Sequence, residues 1–174
     1  FINLDLFAAA GLNSMPKNRS EFLSAARKLT DKSKNQYGWV LPLSLQSPNG
    51  AQNDIMSWVW ASGKSMLKDG KPNLTNKDVI SALKFIQVMY KEKLISPGSF
   101  AKKEQEKLEE FVNGRVGMTV SSLAHINMIR DRNPSLNFTI TDFPAADGYK
   151  GRRGLPYAAW GIGISQHSKH KEEA

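Results

Sequence analysis

Leu108-Glu109-Glu110-Phe111-Val112-Asn113-Gly114-Arg115-Val116-Gly117-Met118-Thr119-Val120 decides the reading of the chain. Leu108, Phe111 and Val112 share one face of a short charged helix, Gly114 is its left-handed stop, and Val116 to Val120 follows as an apolar strand. A helix that runs through one glycine into a buried strand is a unit of an α/β domain. Upstream, Val79, Ala82, Leu83, Ile86 and Met89 recur at helical spacing. They define a long amphipathic helix that begins near Thr75 and Asp78 and ends before Pro97-Gly98. Downstream, Ser122 to about Arg130 reads as a helix, and Phe138 to Phe143 reads as another strand.

The same alternation extends to the start of the chain. Asn3 caps a short helix that ends at Gly11. Asn18 and Glu21 have capping-box spacing before Phe22, Ala25, Ala26 and Leu29. Tyr37 to Leu43 reads as a strand, and a polar loop over Ser44 to Gly50 leads to a helix that Asn53 or Asp54 caps and that runs towards Gly63. Asp69-Gly70-Lys71 is a turn. Trp160, Ile162 and Ile164 alternate with Gly161, Gly163 and Ser165, which is strand periodicity. The predicted fold is α/β, with helices packed around a small central sheet.

Composition narrows the function. The chain has 174 residues, enough for about one domain, and 40% of them are apolar. It has no stretch of the ~18 apolar residues that a membrane helix needs, and it has no cysteine, so thiolate metal sites and disulfides drop out. The net charge of +8 is spread thinly: residues 1–50 and 51–100 carry +3 each, 101–150 carry none and the last 24 carry +2. Solvated helix faces account for such a distribution better than a nucleic-acid stripe does.

Catalytic constellations are missing from the sequence. Ala61-Ser62-Gly63-Lys64-Ser65 contains the end of a phosphate-loop pattern, but Trp58 stands where the first glycine of that loop belongs. No serine lies in a Gly-x-Ser-x-Gly context, and the three histidines, His125, His167 and His170, make a poor metal set. The three Asn-x-Ser/Thr tripeptides, at Asn18, Asn73 and Asn137, each have a turn or cap explanation. What remains is a set of aromatic and small polar residues at junctions between loops and regular elements: Asn53, Trp58 and Trp60; Ser121, Ser122 and His125; Tyr157 and Trp160. Flat aromatic faces with fixed polar groups suit a sugar, although each tryptophan taken alone suits a core better than a ligand platform.

The order of these pieces resembles the carbohydrate-type extracellular solute-binding proteins of ATP-binding-cassette (ABC) importers, the maltose-binding-protein-like family. The resemblance is carried by Phe1-Ile2-Asn3-Leu4-Asp5-Leu6-Phe7, by Glu21 to Thr30, by Trp58 to Gly63, by Ala82-Leu83-Lys84-Phe85 and by Phe111 to Met118, all in register. It implies one lobe of a two-lobed periplasmic-binding-protein-like fold. Residues 1–174 match the C-terminal lobe, with the first lobe and the final helices lying outside this chain and a late helix starting near Ser168. It also implies binding of a sugar or oligosaccharide in an interlobe cleft, delivery to a membrane permease, action as a monomer without catalysis, metal or cofactor, and no nucleic-acid partner. The expected location is extracellular or periplasmic, with an upstream lipid-modified segment as anchor. Contacts carried over from the family fall on Gln52 to Trp58, hence Asn53, Asp54 and Trp58; on Ser121, Ser122 and His125; and on Tyr157 and Trp160. One departure is that Ser121-Ser122-Leu123-Ala124 stands where the family often has Asn-Gly-x-Trp. A second is Arg19 in place of a common Trp, which bears on packing. The competing readings are a basic nucleic-acid-binding module and a carbohydrate-active enzyme domain.

Overall fold

The computed structural model describes residues 1–155 and 161–173. The elements run β1 (Ile2–Asn3), α1 (Leu4–Ala9), α2 (Arg19–Leu29), β2 (Tyr37–Trp39), α3 (Pro48–Trp60), β3 (Leu67–Lys68), β4 (Lys71–Pro72), α4 (Lys77–Lys91), α5 (Glu104–Val112), β5 (Val116–Met118), α6 (His125–Arg132) and β6 (Phe138–Thr139). A four-stranded sheet has the order β2-β5-β1-β6, and β3 and β4 form a separate hairpin. β2 and β5 are parallel, whereas β1 is antiparallel to both β5 and β6. It follows that β2, β5 and β6 all point the same way, and the segments leaving them emerge at one edge.

Local chemistry places the helix ends. Asn3 Oδ1 accepts from Leu6 N at 3.0 Å. Asn18 Oδ1 accepts from Glu21 N at 2.9 Å, so the cap half of the predicted capping box forms, while the Glu21 carboxylate accepts from Asn18 Nδ2 and Lys17 N at 2.7 Å each and not from the Asn18 backbone. The cap of α4 is Asn76, one residue beyond Thr75, because its Oδ1 accepts from both Asp78 N and Val79 N at 3.0 Å. α3 begins earlier than the sequence suggests. Ser47 and Pro48 open it, so Asn53 and Asp54 are interior residues and not caps. Gly63, at φ 62°, terminates α3, so the Gly-Lys-Ser run is a helix end.

The core has two parts. The larger gathers Phe22, Trp39, Trp58, Val59, Ile86 and Met89 between the sheet and α2, α3 and α4. The smaller packs Phe1, Phe111, Val116 and Ile129 on α5 and α6. Arg19 is buried among these apolar groups. It donates to Trp58 O at 2.7 Å and Ser81 Oγ at 3.0 Å and lies 5.8 Å from the Phe85 ring centre, which ties α2 to α3 and α4.

Two sequence expectations fail towards the C-terminus. Residues 161–165 form no strand, and Ile162 is fully exposed, because alternation supplies an apolar face but no neighbour among the described residues pairs with it. Residues 168–173 form no helix. The strands at 37–43, 116–120 and 138–143 exist but are shorter, ending at Trp39, Met118 and Thr139.

Gly38 on β2 lies against α2 so closely that an added Cβ would sit 2.5 Å from Ala26 Cα. Gly38→Ala is therefore expected to lower stability by roughly 1–3 kcal/mol in urea denaturation, since backbone must move to admit one methyl group.

Candidate functional site

The shared direction of β2, β5 and β6 gathers residues 40–47, 119–124 and 140–147 at the carboxyl edge of the sheet, where open α/β sheets generally hold their ligands. A small groove lies there, with Thr119 and Val120 from the end of β5, Thr141 and Asp142 from beyond β6, and Phe1 and Pro16 among its walls. Thr119 N donates to Phe1 O at 3.0 Å, which extends the β1–β5 ladder to this rim.

Ser121, Ser122 and His125 stand together just past the rim. The Ser122 carbonyl accepts from His125 N at 3.0 Å and its hydroxyl accepts from Ala124 N at 3.2 Å, so a tight turn starts α6. That turn brings Ser121 Oγ to 2.7 Å from His125 Nδ1. With Nδ1 engaged, Nε2 is the ring nitrogen left for a ligand. Both side chains are half-buried and Ser122 is exposed.

The remaining expected residues separate. Asn53 is exposed on α3, and its carbonyl accepts from Ser57 Oγ at 2.6 Å. Trp58 is corrected from ligand platform to core. It is 0% exposed, and its ring lies 4.9 Å from Phe22, 5.7 Å from Trp39, 4.7 Å from Phe85 and 4.5 Å from Phe143. Asp54 is corrected in the same way. It is fully buried, its Oδ2 is 2.8 Å from Lys107 Nζ, and Lys107 also meets Glu104 at 2.7 Å. Asp54 is an interior residue of α3 on the side that meets Lys107 of α5, and Trp58 is on the side that packs against α2, β2 and α4. Tyr157 and Trp160 lie outside the described residues. Thr141 and Asp142 went unnoticed in the sequence, where the only signal was a polar pair at the end of a predicted strand.

Burial pushes the Asp54 carboxyl up from 3.8 to about 7, and the charge of Lys107 and its hydrogen bond oppose that rise. Its Oδ1 has no hydrogen-bond partner among the described residues. Among the described residues no group of His, Asp and Glu is placed to hold a metal ion.

The profile of the bacterial extracellular solute-binding proteins matches residues 1–174, the whole chain. The chain belongs to that family. A binding protein of Brucella abortus (strain 2308) is 30% identical over 179 residues, covering 100% of this chain and 41% of its own length. The chain thus spans about two fifths of that relative. A solute-binding protein of an ABC transporter from Thermotoga lettingae, bound with α-D-tagatose, is 27% identical with a TM-score of 0.68, covering 76% of this chain and 34% of its own. A solute-binding protein from Agrobacterium radiobacter K84 in complex with ribitol is 28% identical with a TM-score of 0.66, covering 88% and 40%. These solute-binding proteins share the mixed helix and strand architecture, with a small sheet, of a periplasmic-binding-protein-like lobe.

Two measurements test the corrected placements. Trp58→Ala is expected to destabilise the protein by roughly 3–5 kcal/mol in chemical denaturation, as loss of a packed aromatic does. Because the folded Asp54 carboxyl titrates above its unfolded value, its favourable contribution is complete below pH ~4 and is lost as pH rises towards ~7. Asp54→Asn should therefore gain stability relative to the parent as pH is raised across that window, read from urea midpoints at a series of pH values.

Proposed function

We propose that this chain is the C-terminal lobe of a two-lobed receptor. It takes a sugar, oligosaccharide or sugar alcohol into a cleft against the other lobe and presents it to the permease of an ABC importer. In this reading the receptor acts as a monomer, performs no catalysis, and is held at the outer face of the membrane by a lipid-modified segment. Ser121, Ser122 and His125 supply the hydroxyl-recognising groups of this lobe, Asn53, Tyr157 and Trp160 belong to the same ligand set, and Asp142 adds an acceptor at the rim. The observation that carries the reading is the convergence of Ser121, Ser122 and His125 on the carboxyl edge of the sheet, in a chain whose solved relatives hold tagatose and ribitol.

The chemistry of the pair favours binding over turnover. Ser121 Oγ and His125 Nδ1 are hydrogen-bonded, but among the described residues no carboxylate orients the ring from its other side, as a serine nucleophile's base requires. An imidazole whose Nδ1 is held by Ser121 presents Nε2 to a sugar hydroxyl. Closure of two lobes then follows from contacts that neither lobe makes alone.

Calorimetry of the full-length protein against a panel of sugars and sugar alcohols tests this. His125→Ala is expected to weaken binding of the preferred ligand at least ~10-fold, equivalent to about 1.4 kcal/mol, with little loss of stability. Absence of binding to every polyhydroxylated ligand, or full affinity in His125→Ala, would count against the proposal.

A further inference from the structure

Helix α4 buries Val79, Ala82, Ile86 and Met89 in the core, and its solvent side and one flank carry a pairing of lysines and apolar side chains. Ile80, Leu83 and Tyr90 lie on one stripe and are 40%, 44% and 52% exposed. Phe100, at 70% exposure, extends the stripe through its edge-on contact with Tyr90 at 6.2 Å. Alongside it run Lys77, Lys84 and Lys91, all exposed and spaced seven residues apart, so that they form a column with about 10 Å between successive positions. No ion pair engages these three lysines among the described residues. The nearby carboxylates do not neutralise the column. Asp78 lies on another flank of the first turn, and Glu92 is held by Arg27 at 2.6 Å. None of these residues lines the groove at the carboxyl edge of the sheet.

We propose that this face of α4, the Lys77-Lys84-Lys91 column beside the Ile80-Leu83-Tyr90-Phe100 stripe, rests on the anionic surface of a lipid bilayer. A row of cations meets headgroup phosphates, while the adjoining aliphatic and aromatic side chains enter the boundary between headgroups and acyl chains, where tyrosine is favoured. Each lysine near such a surface contributes modestly and the attraction is screened by salt. The contact is therefore weak and reversible, suited to orienting a protein already close to a membrane. The apolar side chains are only about half exposed, so insertion is shallow and charge dominates.

Co-sedimentation of the full-length polypeptide, produced without lipid modification, with vesicles of phosphatidylcholine containing about 30% phosphatidylglycerol, against vesicles of phosphatidylcholine alone, tests the contact. Binding is expected only to the anionic vesicles and should fall steeply between about 0.05 M and 0.3 M salt. The double change Lys84→Glu with Lys91→Glu should reduce partitioning at least ~10-fold, and Tyr90→Ser with Phe100→Ser should reduce it several-fold. Arg115→Glu with Arg130→Glu makes the same change in net charge on exposed residues near the second core, and it should leave partitioning within about twofold. Failure to bind anionic vesicles, unchanged binding in the α4 variants, or an equal loss in the Arg115/Arg130 control would overturn the proposal.

Discussion

Trp58 is the piece on which the rest of the lobe is hung. Its indole meets Phe22 from α2, Trp39 from β2, Phe85 from α4 and Phe143 from the segment beyond β6. Four stretches of chain besides α3 itself are thus referred to one rigid plane. Edge-to-face contacts of this kind constrain angle as well as distance, so the cluster orients its neighbours besides burying apolar area. Arg19 closes the arrangement by bonding to the Trp58 carbonyl, which satisfies a backbone acceptor near the end of α3. Because Phe143 follows β6 and Trp39 ends β2, the same cluster holds two of the three segments that make up the rim.

The second buried anchor is electrostatic. Asp54 on α3 and Lys107 on α5 meet with neither exposed beyond 2% in the side chain, and Glu104 shares the ammonium. Such a pair contributes little net stability, because desolvation opposes the attraction, but breaking it leaves an uncompensated charge. Its effect is on alignment: α3 and α5 can approach only in the register that joins these groups.

Much of this was legible in the sequence. Helix periodicity placed α1, α2 and α4 almost to the residue, and the Asn caps of α1 and α2 satisfy amides in the way their spacing suggests, whereas the cap of α4 is Asn76 and not Thr75. Strands were located but overextended, because apolar runs such as Trp39-Val40-Leu41 continue past the point where a hydrogen-bonded neighbour ends. The start of α3 was misplaced, as Ser44 to Gly50 is rich in turn residues while Pro48 is well suited to the first helical turn. That shift makes Asp54 an interior residue where a cap was expected, while Trp58 is helical in either reading and is buried because α2, β2 and α4 pack on its face of α3. Ser121, Ser122 and His125 kept their place near the edge because strand and helix boundaries on either side of them were read nearly correctly. Their mutual hydrogen bond depends on a turn geometry that spacing alone does not disclose.

The order of the sheet also bears on how the molecule is assembled. β1 belongs between β5 and β6, so Ile2 pairs with Met118 and Thr139. During vectorial synthesis the first strand must wait, unpaired, until both of its distant neighbours have left the ribosome, while α2, α3 and α4 can already collapse around their aromatic residues. Long-range pairing of this sort slows the final step and leaves a sticky edge in the nascent chain. Acquisition of the native sheet is then a late event, separated in time from formation of the helical layer.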